Sequence, residues 1–160
     1  MKDGRSATLS ALTITRSAYN RIAAEALKRF PEECCGILVG TRRAGAAHVH
    51  RAVVAGNVLP GRLRMRHFEI DPVVLFTLQR ALREQPHRRH GDRIIGYFHS
   101  HPLGVARPSG ADLAGAHELG LVTLIAVPEK RTGRATLRAW LRLGEGPSRR
   151  FRPIALRIRS

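Results

Sequence analysis

The stretch Gly96-Tyr97-Phe98-His99-Ser100-His101-Pro102-Leu103-Gly104-Val105-Ala106-Arg107-Pro108-Ser109-Gly110-Ala111-Asp112 is the most informative part of this chain. It reads His-x-His, seven residues, then Ser-x-x-Asp. Two imidazoles and one carboxylate are ligands that zinc prefers. Three protein ligands leave a fourth position for water, the arrangement of a catalytic rather than a structural zinc. The spacing has a physical reason, because residues i and i+2 of a strand point to the same face. Ile94, Ile95, Tyr97 and Phe98 give strand composition, so His99 and His101 can aim both rings at one ion. Pro102 cannot donate to a ladder and ends the pairing. Ser109 precedes a helix-compatible stretch, Gly110 to Leu119, and Asp112 falls in its first turn, facing back toward the strand end.

Each part alone is weak. His48-Val49-His50 repeats the His-x-His spacing with no Ser-x-x-Asp behind it, and reads as an ordinary strand. Ser109-x-x-Asp112 alone reads as a helix cap, with Ser at the N-cap and an acid three residues on. The cap and the ligand readings are compatible, since capping would fix Asp112 in place. His117-Glu118 is not a zincin motif, because position 121 is Leu rather than His.

Upstream, Pro31-Glu32-Glu33-Cys34-Cys35-Gly36-Ile37-Leu38-Val39-Gly40 places an acid just before a Cys-Gly and an apolar run. Together with Phe68-Glu69-Ile70-Asp71-Pro72 and the His-x-His segment, it resembles the bacterial stand-alone branch of the JAMM/MPN+ (JAB1/MPN/Mov34) metalloproteases. The resemblance covers roughly residues 10 to 145. It implies an α/β MPN fold, a mixed curved sheet flanked by helices, with residues 1–160 as a single domain. It implies one Zn2+ per chain with a bound water, held by His99, His101 and Asp112. It further implies Glu33 as the acid–base residue and Ser109 as the oxyanion donor. The implied substrate is a ubiquitin-like β-grasp or sulfur-carrier protein, cleaved after a C-terminal Gly-Gly. Leu103 to Pro108 and Asn57 to Arg66 are expected to flank the cleft. Two other classes remain open: a non-catalytic MPN-type scaffold, and a basic protein acting on nucleic acid.

Composition fits an enzyme domain. With 160 residues the chain can bury a real core. The apolar runs fall far short of the roughly 20 residues a membrane span needs. Met1 to Ser10 is polar, which argues against a signal peptide, and the expectation of two unpaired cysteines points to a reducing, cytoplasmic compartment. The two cysteines, Cys34 and Cys35, are adjacent and on a strand point to opposite faces, so they are expected to be free, buried and structural. Lys and Arg number 28 against 12 Asp and Glu, a formal net charge of +16. Clusters at Arg88, Arg89 and Arg93 and from Arg149 to Arg159 could draw an acidic protein partner or nucleic acid. Aromatics are only 5% and no nucleic-acid-binding signature is present. Solvated arginine faces explain the charge equally well.

The periodicity predicts a strand at Ala11 to Thr15, and then a helix capped by Thr15 with a stripe through Tyr19, Ile22, Ala23, Ala26, Leu27 and Phe30. Strands follow at Cys35 to Thr41, Ala46 to Val54 and Arg66 to Ile70, the last preceded by a loop over Asn57 to Arg64. Asp71 and Pro72 open a helix running to about Glu84, with a polar loop over Gln85 to Asp92. Beyond the metal segment, Leu121 to Val127, Thr136 to Leu143 and Phe151 to Ile158 read as strands.

Overall fold

A computed structural model describes residues 9–43, 45–84, 91–116 and 118–160. The elements run β1 (Ala11–Thr15), α1 (Arg16–Arg29), β2 (Cys35–Arg43), β3 (Ala46–Ala55), α2 (Pro72–Glu84), β4 (Arg93–Ser100), α3 (Gly110–Gly115), β5 (Val122–Glu129), β6 (Arg134–Leu143) and β7 (Arg150–Arg159). Short 3-10 turns occupy Gly61–Met65 and Gly146–Ser148. The strands are ordered β1-β3-β2-β4-β5-β6-β7, and β7 pairs back onto β1, so the curved sheet closes into a barrel. The β1/β3, β1/β7 and β4/β5 pairs are parallel and the others antiparallel, a mixed sheet.

Helix α1 starts where the sequence puts it. The Thr15 hydroxyl accepts from the Ala18 amide at 3.3 Å, satisfying one of the first turn's free donors. Its Ala18, Ile22 and Ala26 stripe joins a core drawn from all seven strands, including Leu12, Leu38, Val49, Phe98, Leu124, Leu141 and Ile154. Helix α2 covers the opposite face of the sheet. There Leu78 packs on Ile37 and Val39, with Val74, Leu75, Leu82 and Tyr97 around them. Strand β2 is thus covered on both faces, and every residue from Cys35 to Gly40 is buried. That explains a continuous apolar run where a half-buried strand would alternate. Gly36 is required by close approach, since a Cβ there would lie 2.3 Å from the Phe98 ring and from the Val53 carbonyl.

Two local expectations fail. Arg66 to Ile70 is not a strand; it makes one isolated bridge, Asn57 to Ile70. In a closed barrel this segment has no free edge to join, and the His67 carbonyl and Glu69 amide bond to the Asn57 side chain instead. The helix at Gly110 stops at Gly115 rather than Leu119. Gly115 is a poor helix residue, and the Ala116 carbonyl is taken by the Arg142 guanidinium at 2.9 Å. The expected loop over Gln85 to Asp92, Arg88 and Arg89 of the basic cluster, His117 and most of the polar N-terminus fall largely or wholly outside the described residues. Among the described residues no helix is long and apolar enough to cross a membrane.

Candidate metal centre

Pairing of β2, β4 and β5 sets Cys35, His99 and Ile125 in one row across the sheet. The His101 amide still donates to the Ala126 carbonyl at 2.8 Å, one residue past the end of β4. The chain therefore stays extended through His101, and both imidazoles share a face before Pro102 ends the ladder. Their Nε2 atoms lie 3.0 Å apart. Asp112 reaches both: Oδ1 is 3.1 Å from His99 Nε2 and Oδ2 is 3.1 Å from His101 Nε2. The three side chains form a group that could hold a metal ion. Donors 2.0–2.1 Å from a tetrahedral ion sit roughly 3.3 Å from one another, close to the edges observed.

The surroundings prepare the donors. His101 Nδ1 lies 2.8 Å from the Val105 carbonyl, which can only accept. Nδ1 must carry the proton, leaving the Nε2 lone pair facing inward. Burial holds the His99 imidazole below its ordinary pKa and so neutral, the form that binds metal. For His101 burial also pulls downward, but the bonds to Asp112 and Val105 outweigh it and the net shift is upward. Burial alone would raise Asp112. The hydrogen bonds from His101 and His99 and the Ser109 amide overcome that, and hold its carboxyl well below the usual carboxylate range.

Ser109 and Asp112 form the expected capping box. The Ser109 hydroxyl accepts from the Asp112 amide at 3.1 Å, and the Ser109 amide donates to Asp112 Oδ2 at 2.7 Å. The cap orients the carboxylate toward the imidazoles. It also uses the Ser109 oxygen only as an acceptor, so its O–H is left to donate.

Glu33 sits just before β2, only 6% exposed, and its charge is felt by both His101 and Asp112. Oε2 is buried and without a hydrogen-bond partner. Burial pushes the carboxyl up from 4.5 to about 7. Its backbone is clamped on both sides. The Glu33 amide donates to the Arg64 carbonyl at 2.6 Å, and the Glu33 carbonyl accepts from Asn57 Nδ2 at 3.1 Å. Next along the chain, the Cys34 amide donates to the Ser100 hydroxyl at 2.8 Å, and the Ser100 amide to the Cys34 carbonyl at 3.0 Å. Glu33 is thereby tied, through its neighbour Cys34, to the His-x-His strand. Glu32, its neighbour, turns away and pairs with Arg64 at 3.2 Å.

The supporting roles of three residues escape the sequence reading. Ser100, fully buried, makes the tie just described. Asn57 uses all four of its hydrogen-bonding positions: Nδ2 donates to the carbonyls of Glu33 and His67, and Oδ1 accepts from the amides of Leu59 and Glu69. Phe68 stacks on His99, with ring centroids 4.4 Å apart and planes inclined by 19°. An asparagine just after a strand-ending glycine is the one local hint of this arrangement.

A cavity of about 400 Å3 opens beside the centre. His99, Asp112 and Phe68 line one end, with Ile70, Leu75, Tyr97, Leu121 and Phe151 continuing its apolar wall. Of the segments expected to flank the cleft, only Arg66 lines this cavity; His67 to Ile70 and residues of α3 line it in their place. The two buried cysteines are free, and burial pushes their thiols up to about 11 and 12, far from a reactive thiolate. The other His-x-His pair is unlike the first. The His50 ring is engaged by the Val39 carbonyl at 3.2 Å and Asp92 at 3.1 Å, while His48 is exposed.

The fold matches solved structures of bacterial proteins. The solution structure of a protein from Desulfitobacterium hafniense is similar at a TM-score of 0.75 and 26% identity, with 92% of each chain covered. One from Salinibacter ruber is similar at a TM-score of 0.61 and 28% identity, with 90% of each chain covered. The family model of the prokaryotic homologs of the JAB domain matches residues 15–142, and the chain belongs to this family. A relative named "Desampylase", from Haloferax volcanii, is 32% identical over 113 residues, 69% of this chain and 70% of that protein. A second, named "Probable TtuB-protein conjugate cleaving protease", from Thermus thermophilus, is 30% identical over 105 residues, 66% of this chain and 63% of that protein.

Proposed function

We propose that this protein is a zinc-dependent isopeptidase that hydrolyses the amide bond after the C-terminal Gly-Gly of a ubiquitin-like or sulfur-carrier protein. The observation that carries the reading is the triangle of His99, His101 and Asp112 beside buried Glu33, whose Oε2 has no hydrogen-bond partner, in a chain of the prokaryotic JAB family. The names of the two relatives, each describing removal of a protein modifier, support the substrate class. Two imidazoles and a carboxylate suit zinc, which when bound would polarise a carbonyl and make water acidic enough to deprotonate near neutral pH.

The chain's own groups supply the rest. Glu33, raised to about 7, is poised to take a proton from the attacking water and return one to the leaving amine. The Ser109 O–H donates to the oxygen on which charge develops, since its acceptor side is already used by the cap. The apolar cavity beside His99 receives the substrate chain. The excess of arginine favours an acidic modifier and speeds its encounter.

A panel of β-grasp proteins, each fused through its Gly-Gly to a reporter, tests this. Purified protein should bind one zinc per chain, release the reporter after Gly-Gly, stop in excess chelator and recover with zinc. Full cleavage in chelator would overturn the mechanism. Ser109→Ala should lower turnover roughly 10²–10³-fold with the zinc retained. Turnover within a few fold of wild type would remove Ser109 from the oxyanion role.

A further inference from the structure

Helix α3 has six residues and none of them is buried. Yet its Asp112 holds one oxygen 3.1 Å from each of two imidazole nitrogens. With no fully buried residue, hydrophobic anchoring of this helix is weak, and polar contacts carry much of its position. The capping box at its start is internal to the segment and orients Asp112 only relative to Ser109.

Two side chains of β6 supply the external contacts. Trp140 Nε1 donates to the Ala106 carbonyl at 3.0 Å, between His101 and Ser109. Arg142 Nε donates to the Ala116 carbonyl at 2.9 Å, at the end of α3. Residues two apart on a strand share a face, and here they grip the two ends of the segment that carries Ser109 and Asp112. Arg142 is only 3% exposed. Its Nη1 also donates to the carbonyls of Leu143 and Gly144, so two nitrogens of the guanidinium bind three backbone carbonyls. Burying a guanidinium is costly, and its rigid fork is what spans these separate carbonyls. Trp140 reaches the metal side as well. Ala106 adjoins Val105, whose carbonyl sets the proton position on His101.

We propose that Trp140 and Arg142 are positioning residues that hold Asp112 and Ser109 in register with His99 and His101. The inference rests on the metal-site reading above, and its test reads metal binding rather than turnover. Trp140→Phe removes the N–H donor and keeps an aromatic ring. Arg142→Lys keeps the charge and loses the fork. Zinc affinity is measured by competition with a chromophoric chelator, alongside thermal melts of the metal-free proteins. Each variant should bind zinc about tenfold or more weakly, the usual cost of losing an outer partner of a metal site. In Trp140→Phe the metal-free melting temperature should be nearly unchanged. Added to Asp112→Ala, Trp140→Phe should cost clearly less than it does alone, because most of its effect runs through that ligand. Trp140 is the chain's one tryptophan, so wild-type emission should change with zinc and saturate at one equivalent.

Affinity within twofold of wild type in Trp140→Phe, or a loss that simply adds to that of Asp112→Ala, would overturn the inference while leaving the metal site standing. A folded wild type that binds no zinc would overturn both. Should Arg142→Lys fail to fold, Trp140→Phe decides the matter alone.

Discussion

Replacing Glu33 with Gln is expected to lower cleavage by roughly 10²–10⁴-fold, the range general acid–base catalysis supplies, while zinc still binds at one per chain. Gln keeps the size and the hydrogen-bonding oxygen but cannot take a proton. The same substitution should make the metal-free protein more stable at pH 8. Burial raises the Glu33 carboxyl from 4.5 to about 7. Its folded pKa therefore lies above its unfolded one. The stability it contributes is fully present below about 4.5 and is lost as pH rises through about 7. Above that pH the folded chain carries a buried carboxylate with an oxygen that has no partner. Glu33→Gln should then raise the melting temperature at pH 8 by ~3 °C or more, the shift that about 1 kcal/mol produces in a domain of this size, with little change at pH 5. Melts at both pH values in chelator check this. An equal effect at both would mean that the charge of Glu33 is not what strains the site, and zinc-dependent cleavage by Glu33→Gln at wild-type rate would remove it from the reaction.

Such a penalty is what a site carries when its function is not its stability, and it explains what the sequence could and could not disclose. The convergence of His99, His101 and Asp112 is legible because two local rules meet there. A strand places i and i+2 on one face, and a capping box fixes the acid at the third helical position. The α1 stripe and its Thr15 cap were legible for the same reason, being periodic and local. The barrel was not. Its closure depends on β1 lying parallel to both β3 and β7, and no short-range pattern specifies pairings so far apart along the chain. The span from Arg66 to Ile70 misled because Phe68 and Ile70 alternate like a strand. Phe68 is instead held against His99 by a loop that Asn57 organises. Asn57, Ser100 and Arg142 act through contacts to backbone atoms remote in sequence, so their residue types alone carry little signal. The His48 and His50 pair marks the same boundary, since identical spacing leads there to Val39 and Asp92 rather than to a third converging ligand.

Asp112→Asn should weaken zinc binding on the order of 100-fold or more, beyond the 10–100-fold that outer partners typically cost, and take cleavage below detection. The proposed function gives the residue two duties, and the substitution separates them. As a cap, Asp112 accepts the Ser109 amide at 2.7 Å, and an amide oxygen can do that nearly as well. As a ligand, it presents a carboxylate to two imidazoles with one oxygen toward each. Asn offers a single neutral oxygen and an NH2 that points a donor where an acceptor is needed. Asp112→Asn should therefore keep α3 and lose the ion. Ser109→Ala should do the reverse, costing about 1 kcal/mol of helix cap and keeping the ion. Zinc competition and thermal melts on the two variants distinguish the duties. Zinc binding in Asp112→Asn at wild-type strength would make the aspartate a cap and nothing more. The acid three residues after Ser109 would then have the plain meaning it has in any helix, and His99 and His101 would need another partner.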